Sequence, residues 1–195
     1  MKASGNILFC GVGGQGILLA SEITAFALLE SGLDAKKSEV HGMAQRGGSV
    51  VAHLRYGEKV YSPLIEPGSA DFAVSFEIME AARYLPFLHK ESKVVVNTQQ
   101  IAPPVVALGK MAYPANLLDE LSNKGITVFA IDAFALAREV GEIRTANIAL
   151  VGALSSFLPI SEEVFISVLK KRIPRKLEEN LQAFQQGRQI TAGAA

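Results

Sequence analysis

The hydrophobic and polar positions of this chain alternate between short apolar runs and helical stretches closed by glycine. Asn6–Val12 contains the unbroken run Ile7-Leu8-Phe9-Cys10, which predicts a strand buried on both faces. Gln15–Ser31 reads as a helix closed by Gly32, a C′ glycine. Lys36–Val40 predicts a second strand. From Ser49 to Tyr56 the pattern alternates. Val50, Ala52, Leu54 and Tyr56 face one way, and Val51, His53 and Arg55 face the other. Gly57-Glu58 then predicts a tight turn into Lys59–Ser62, giving a hairpin. Asp71–Phe76 predicts a strand, and Glu77 to Tyr84 a helix ahead of Pro86. Val94–Asn97 predicts a short apolar strand. Gln99–Pro114 holds three prolines and predicts a surface excursion. Ala115–Asn123 predicts a helix ending toward Gly125, and Ile126–Asp132 the last strand.

Beyond Ala133 the pattern is helical. Ser161 is placed to cap a helix through Arg172, with Glu162 and Glu163 favourable in its first turn. Pro174 suits the start of a final helix that stops at Gly187, leaving Arg188–Ala195 as a frayed tail. Strands alternating with helices imply an α/β fold. The expected form is a three-layer α/β/α Rossmann-like domain with a mixed, mostly parallel sheet and a helical C-terminal region. One domain is expected over residues 1–188, with 189–195 as tail.

Composition narrows the function. A chain of 195 residues that is 49% hydrophobic, with mean hydropathy +0.26, can bury a sizeable core. Its 19 Lys+Arg balance 19 Asp+Glu, so no global charge steers it toward nucleic acid or an acidic membrane. The apolar stretches Ile17–Leu29 and Ile148–Leu158 fall short of the roughly 20 residues that span a bilayer, and the first contains Glu22. The N-terminus reaches a core strand within six residues, without a signal peptide, so a cytoplasmic protein is expected. The single cysteine, Cys10, lies in the first strand and reads as a buried hydrophobe. It excludes an intrachain disulfide and a cysteine-ligated cluster.

Two glycine-rich segments carry the candidate chemistry. Gly11-Val12-Gly13-Gly14-Gln15-Gly16 follows a strand and opens a helix, fitting G-x-G-x-x-G. Glycines permit the sharp turn, and the first helical N–H groups face an anion. Three readings are open: a dinucleotide site, an anion or cofactor phosphate reached from a neighbouring subunit, or a tight turn without a ligand. A dinucleotide wants an acidic residue about 20 residues further on. Glu39 is the candidate there; Asp34 comes too early, and Lys36 and Lys37 crowd the place. The second segment, His41-Gly42-Met43-Ala44-Gln45-Arg46-Gly47-Gly48, sets Gln45 and Arg46 before two glycines. Arginine's planar fork suits a phosphate or carboxylate. A surface salt bridge beside a turn is the alternative. Tyr61-Ser62-Pro63 and Asp71 are candidates for the same rim. Asn147 is a candidate polar contact at a helix terminus, with Thr145 as an N-cap the simpler explanation.

Several chemistries are excluded by pattern. Ile17-Leu18 follows Gly16 where a P-loop needs Lys-Ser/Thr, and neither G-x-S-x-G nor H-E-x-x-H occurs. His41, His53 and His89 lack metal-ligand spacing. His53 reads as structural, and His89 as a solvated cation after a helix end. No catalytic residue is assigned, and no metal ligand.

Taken together, the two glycine segments, His41–Val50, Val60-Tyr61-Ser62-Pro63 and Ala70-Asp71 resemble the gamma-type subunit of 2-oxoacid:ferredoxin oxidoreductases. Within it, the string His-Gly-Met-Ala-Gln-Arg-Gly-Gly is similar to the indolepyruvate:ferredoxin oxidoreductase beta-subunit branch. Arg144-Thr145-Ala146-Asn147, Gly152-Ala153-Leu154 and Asn180-Leu181-Gln182-Ala183-Phe184 extend the resemblance over nearly the whole chain. It implies a complex that decarboxylates a 2-oxoacid to an acyl-CoA and passes electrons to ferredoxin. Thiamine diphosphate, Mg2+ and [4Fe-4S] clusters are implied on a partner alpha subunit, with coenzyme A bound on or with it. This chain has no Gly-Asp-Gly motif for magnesium and thiamine diphosphate. By that resemblance Gly11, Gly13, Gly14, Gln15, Gly16, Gln45, Arg46, Gly47 and Gly48 contribute to the cofactor, substrate or coenzyme A environment, and the chain alone binds no cofactor. A free-standing Rossmann-like nucleotide-binding oxidoreductase or regulatory domain is the alternative from another class.

Overall fold

The computed structural model describes residues 4–41 and 48–194. Strand β1 (Gly5–Val12) is followed by helix α1 (Ile17–Glu30), then β2 (Asp34–His41), β3 (Ser49–Gly57) and β4 (Ala70–Ser75). Next come α2 (Ile78–Arg83), a 3-10 turn at Leu85–Phe87, β5 (Leu88–Asn97), and two short helices, α3 (Pro104–Ala107) and α4 (Leu117–Asn123). Strand β6 (Thr127–Ile131) precedes α5 (Ala133–Glu139), α6 (Ala146–Ser155), α7 (Glu162–Arg172) and α8 (Leu177–Thr191). The six strands form one sheet in the order β2-β3-β1-β4-β5-β6. β1, β4, β5 and β6 pair in parallel, while β3 pairs antiparallel with both β1 and β2. The sheet is therefore mixed and mostly parallel, as the alternation of strands and helices implies.

Each face of the sheet carries its own core. Ile7 and Phe9 of β1, Val50, Ala52 and Leu54 of β3, and Val74 of β4 pack with α1, α5, α6, α7 and α8. Leu8 and Cys10 of β1, Val51, Ala73, Val94 and Val96 face the other way, onto Ile78 and Ala81 of α2 and Leu117 and Leu121 of α4. The period-two alternation of β3 thus divides its side chains between the two cores. With helices on both faces, the domain has three layers.

β3 does form a hairpin, but with β2. His41 pairs with Val50 and Asp34 with Gly57. The expected strand at Lys59–Ser62 does not form, because side chains hold that backbone instead. Asp34 Oδ2 accepts Val60 N–H at 2.8 Å, and the Arg55 guanidinium donates to the Ser62 and Leu64 carbonyls. β5 also begins earlier than its apolar part. His89 lies within it, with Nδ1 accepting Glu91 N–H at 3.2 Å, rather than following a helix end. The 3-10 turn with Pro86 separates it from α2.

α6 is buried along all ten residues, between the sheet and α8. Gly152 and Gly187 make this possible. A Cβ at Gly152 would lie 2.0 Å from the Phe184 carbonyl oxygen, and one at Gly187 would lie 1.9 Å from that of Ala149. Gly187 therefore sits inside α8 as a packing residue and does not end it. The helix runs on through Arg188 and the fully buried Thr191, whose Oγ1 donates to Ala153 O. Arg188–Thr191 is accordingly ordered helix where fraying was expected. Pro174 lies two residues before Lys176, which at φ +56° is the N-cap of α8.

Candidate functional site

The first glycine segment and Gly48 lie at the C-terminal edge of the parallel strands, where ligands bind in open α/β sheets. The antiparallel register sets Val12 opposite Ser49 and Gly11 opposite Val50, so the first loop begins beside Gly48. Gly13 N–H donates to the Gly48 carbonyl at 2.9 Å. Gln45, Arg46 and Gly47 lie outside the described residues. Tyr61, Ser62, Pro63 and Asp71 do not share this rim. Tyr56 pairs with Gly5, so the chain after β3 emerges at the opposite end of the sheet, as does the start of β4.

Gln15 organises the first loop. Its Oε1 accepts Val12 N–H at 2.7 Å, and its Nε2 donates to the Phe76 carbonyl at 2.8 Å and to Gln99 Oε1 at 2.9 Å. Asn97 Nδ2 also donates to Phe76 O, at 3.1 Å, and Asn97 Oδ1 accepts the first N–H of α5, from Ala133. Three strand ends are thereby tied into one rigid rim. Gly11 is required by contact, since a Cβ there would meet Phe76 Cβ at 2.7 Å and Gln15 Oε1 at 2.8 Å. Gly14 is the exposed tip of the loop. Gly16 has φ +81°, and its Cβ would fall 2.5 Å from Asn147 Nδ2.

Gly16 is the N-cap of α1, with no side-chain cap and no acidic residue in the first turn. Ala20 N–H returns to Gly16 O, so the N–H groups before it are left for an external acceptor. This is the arrangement that receives anions at helix N-termini. Asn147, on the first turn of α6, reaches Gly16 O through Nδ2 at 3.4 Å, while its buried Oδ1 has no partner. Asn147 thus touches the loop, and Thr145 is not a side-chain cap, since its Oγ1 donates to Glu142 O.

A cleft of about 420 Å³ opens beside Val12 and Ser49. Val12 and Ser49 form one wall, α2 the floor, and the proline-rich strap from Ile101 to Ala107 the other wall. Its buried carboxylates are fully engaged in structure. Glu77 caps α2 through Glu80 N–H, and accepts Ile101 N–H and the Tyr113 hydroxyl. Glu80 accepts the Ser49 hydroxyl and Arg83 Nε. Burial, with the bond to Glu77, raises the Tyr113 hydroxyl above its ordinary value. Glu77 therefore buckles the strap onto α2. Nothing in the sequence pattern marks this network, because it joins positions far apart. The cleft reaches Met79 and Pro103 with apolar side chains, so it is polar along one wall only.

Cys10 is fully buried, and burial raises its thiol to about 12, leaving it no ready thiolate. His53 is also buried; its Nδ1 accepts Ile65 N–H at 3.1 Å and its ring meets Phe87 edge-on. Its role is structural. Among the described residues there is no group of three His, Cys, Asp or Glu side chains placed to hold a metal.

The dinucleotide reading fails on topology. In that fold the strand carrying the ribose-binding carboxylate lies next to the first strand. Here β3 is inserted between β1 and β2, setting Glu39 one further strand spacing away, about 4.8 Å. Glu39 is moreover ion-paired with Lys37.

Residues 6–190 match the model of the pyruvate ferredoxin/flavodoxin oxidoreductase family. The chain belongs to this family. It is 42% identical over 190 residues to the indolepyruvate oxidoreductase subunit IorB of Thermococcus kodakarensis, covering 93% of each chain. The IorB protein of Pyrococcus horikoshii is 39% identical over the same coverage. Among solved structures, the gamma subunit of the keto/oxoacid ferredoxin oxidoreductase of Geobacter sulfurreducens superposes with a TM-score of 0.72 at 25% identity, over 98% of this chain and 99% of that one. The chain is thus a subunit of a 2-oxoacid oxidoreductase. Among the described residues no helix is long and apolar enough to cross a membrane.

Proposed function

We propose that this chain is the non-redox subunit of a complex that oxidatively decarboxylates an aryl pyruvate such as indolepyruvate, forming an acyl-CoA with ferredoxin as electron acceptor. The substrate assignment is supported by relatives named as indolepyruvate oxidoreductase subunits at 37–42% identity. Thiamine diphosphate, Mg2+ and [4Fe-4S] clusters belong in this reading to the partner alpha subunit, through which ferredoxin is reached. The donor set of this chain does not fit those groups. One inert thiol cannot ligate a cluster, and the Gly-Asp-Gly motif is missing.

The chain's own contribution in this reading comes from Gly11, Gly13, Gly14, Gln15, Gly16, Gln45, Arg46, Gly47 and Gly48. The observation that carries this is the uncapped N-terminus of α1 at Gly16, bonded through Gly13 to the second segment at Gly48. A phosphate or carboxylate of cofactor, substrate or coenzyme A, presented from the partner, would receive the α1 N–H groups and the Arg46 guanidinium. The test is Arg46→Ala in the assembled complex. Losing a charge-assisted contact in a desolvated site costs about 1.5–3 kcal/mol, or roughly tenfold to hundredfold in activity. Assembly and melting temperature should stay unchanged, and Arg46→Lys should restore activity only in part, because an ammonium lacks the bidentate fork. Full activity in Arg46→Ala refutes the ligand role; loss of assembly makes Arg46 an interface residue.

A further inference from the structure

We infer that the outer edge of β2 is a docking surface for a second copy of this chain, paired antiparallel about a two-fold axis at Ser38. β2 ends the sheet, and among the described residues no strand lies beyond it. Its inner side is paired with β3 from Asp34 to His41, so alternate N–H and C=O groups along this length point outward. The opposite edge, β6, is shorter, spanning Thr127–Ile131, and carries no charged side chain to fix a register.

Lysines on an edge strand normally guard it, because a second strand would bring like charges together. On β2 that guard is cancelled. Lys37 is ion-paired with Glu39, and Lys36 Nζ lies 3.7 Å from Asp34 Oδ1. The strand's two lysines thus balance its two acids, and Val40 leaves an apolar side chain 54% exposed among them.

Symmetry and charge together select the register. A two-fold axis perpendicular to the sheet keeps each residue on the same face in both copies. A residue therefore stands opposite itself or one an even number of positions away. Centring the pair on Lys36, Lys37 or Glu39 sets like charges against each other. Centring it on Ala35 or Val40 leaves most of the strand unpaired. With Ser38 on the axis, Lys37 of each copy stands opposite Glu39 of the other, closing a ring of four alternating charges. The aliphatic stem of Lys36 then lies over the other copy's exposed Val40. Residues 35–41 of both copies pair, nearly the whole strand. Edge pairing of this extent is at the small end of specific interfaces, so the dimer is reversible, with micromolar affinity. This inference goes beyond the function proposed for the glycine segments and does not rest on it.

The test uses the full-length chain in analytical ultracentrifugation, which should show a monomer–dimer equilibrium in the micromolar range. Lys37→Glu sets a carboxylate against Glu39 and should weaken the dimer at least roughly tenfold. Combining it with Glu39→Lys makes the opposed charges unlike again and should restore the dimer. Cysteine substitutions read the register independently of the charge variants. Opposed Cα atoms of an antiparallel pair lie about 4.5–5.5 Å apart, within disulfide reach. Ser38→Cys, oxidised with diamide, should therefore give a covalent dimer, while Cys10 is fully buried and stays out of the reaction. Val40→Cys should not cross-link, because its two copies stand about 14 Å apart along the strands. A chain that stays monomeric through the micromolar range overturns the proposal. So does a dimer indifferent to Lys37→Glu or not recovered by the double reversal, or one in which Val40→Cys cross-links as readily as Ser38→Cys.

Discussion

Gln15→Glu changes one nitrogen to oxygen at the centre of the first glycine loop, and its cost can be worked from three contacts. Oε1 keeps its role, accepting Val12 N–H. The other atom turns from a donor into a charged acceptor, facing the Phe76 carbonyl at 2.8 Å and Gln99 Oε1 at 2.9 Å. Gln99 can flip its amide and donate, removing one repulsion. Phe76 O cannot turn, because it is fixed in the backbone and already accepts from Asn97. One donated bond is lost and replaced by a carboxylate against a carbonyl, in a half-buried place. Bonds to charged groups are worth about 1.5–3 kcal/mol, so a loss of that size is expected near neutral pH. Protonation restores a donor toward Phe76 O. The folded-state pKa of the new carboxyl is therefore raised above its unfolded value of about 4.3. The sign follows: the deficit is full at pH 7 and shrinks as pH falls through that raised pKa. Urea unfolding of both proteins at a series of pH values between neutral and about 4.5 reads this directly. A deficit under about 0.5 kcal/mol, the usual range of a surface substitution, or one independent of pH, refutes the account of the loop.

Two further substitutions test the packing behind the site. Gly152→Ala pushes a methyl group into the Phe184 carbonyl, so α6 and α8 must part; it should cost about 1–3 kcal/mol or more, lowering Tm by roughly 2–4 °C per kcal/mol, and an unchanged Tm contradicts the close approach. Burial lowers the His53 pKa below 6.5, so the unfolded chain takes up a proton first; stability should be complete above that pH and decline below it, and His53→Gln should flatten the decline in urea midpoints measured across that range.

The parts of the fold that were legible in the sequence are those where one local pattern decides one element. β1 and α1 follow from an apolar run, a glycine turn and the closing Gly32, and the alternation of Val50 to Tyr56 gives the two buried faces of β3. Where a distant residue decides, the local pattern misleads. Lys59–Ser62 has the form of a hairpin arm, yet Asp34 and Arg55 claim its backbone groups. Gly187 has the form of a helix stop, yet it is the contact that seats α8 on Ala149. The site divides in the same way. Its glycines stand in the sequence as a motif, and the pairing of the two segments follows only once β3 lies beside β1. Gln99, Asn97 and the Glu77–Tyr113 buckle are ordinary polar residues until the fold brings them to the rim. Asn147 was visible as a polar residue at a helix start, but its contact with Gly16 spans 131 positions.

The central claim is that this chain serves catalysis only within a complex. The direct measurement compares 2-oxoacid-dependent reduction of ferredoxin or a viologen dye by the purified chain, by the partner subunit to which the proposed function assigns thiamine diphosphate, and by the two together. Reduction with indolepyruvate should appear only in the joint preparation, and the chain alone should be colourless. Turnover or cluster-type visible absorption from the chain alone would contradict the claim, as would full activity of the partner without it.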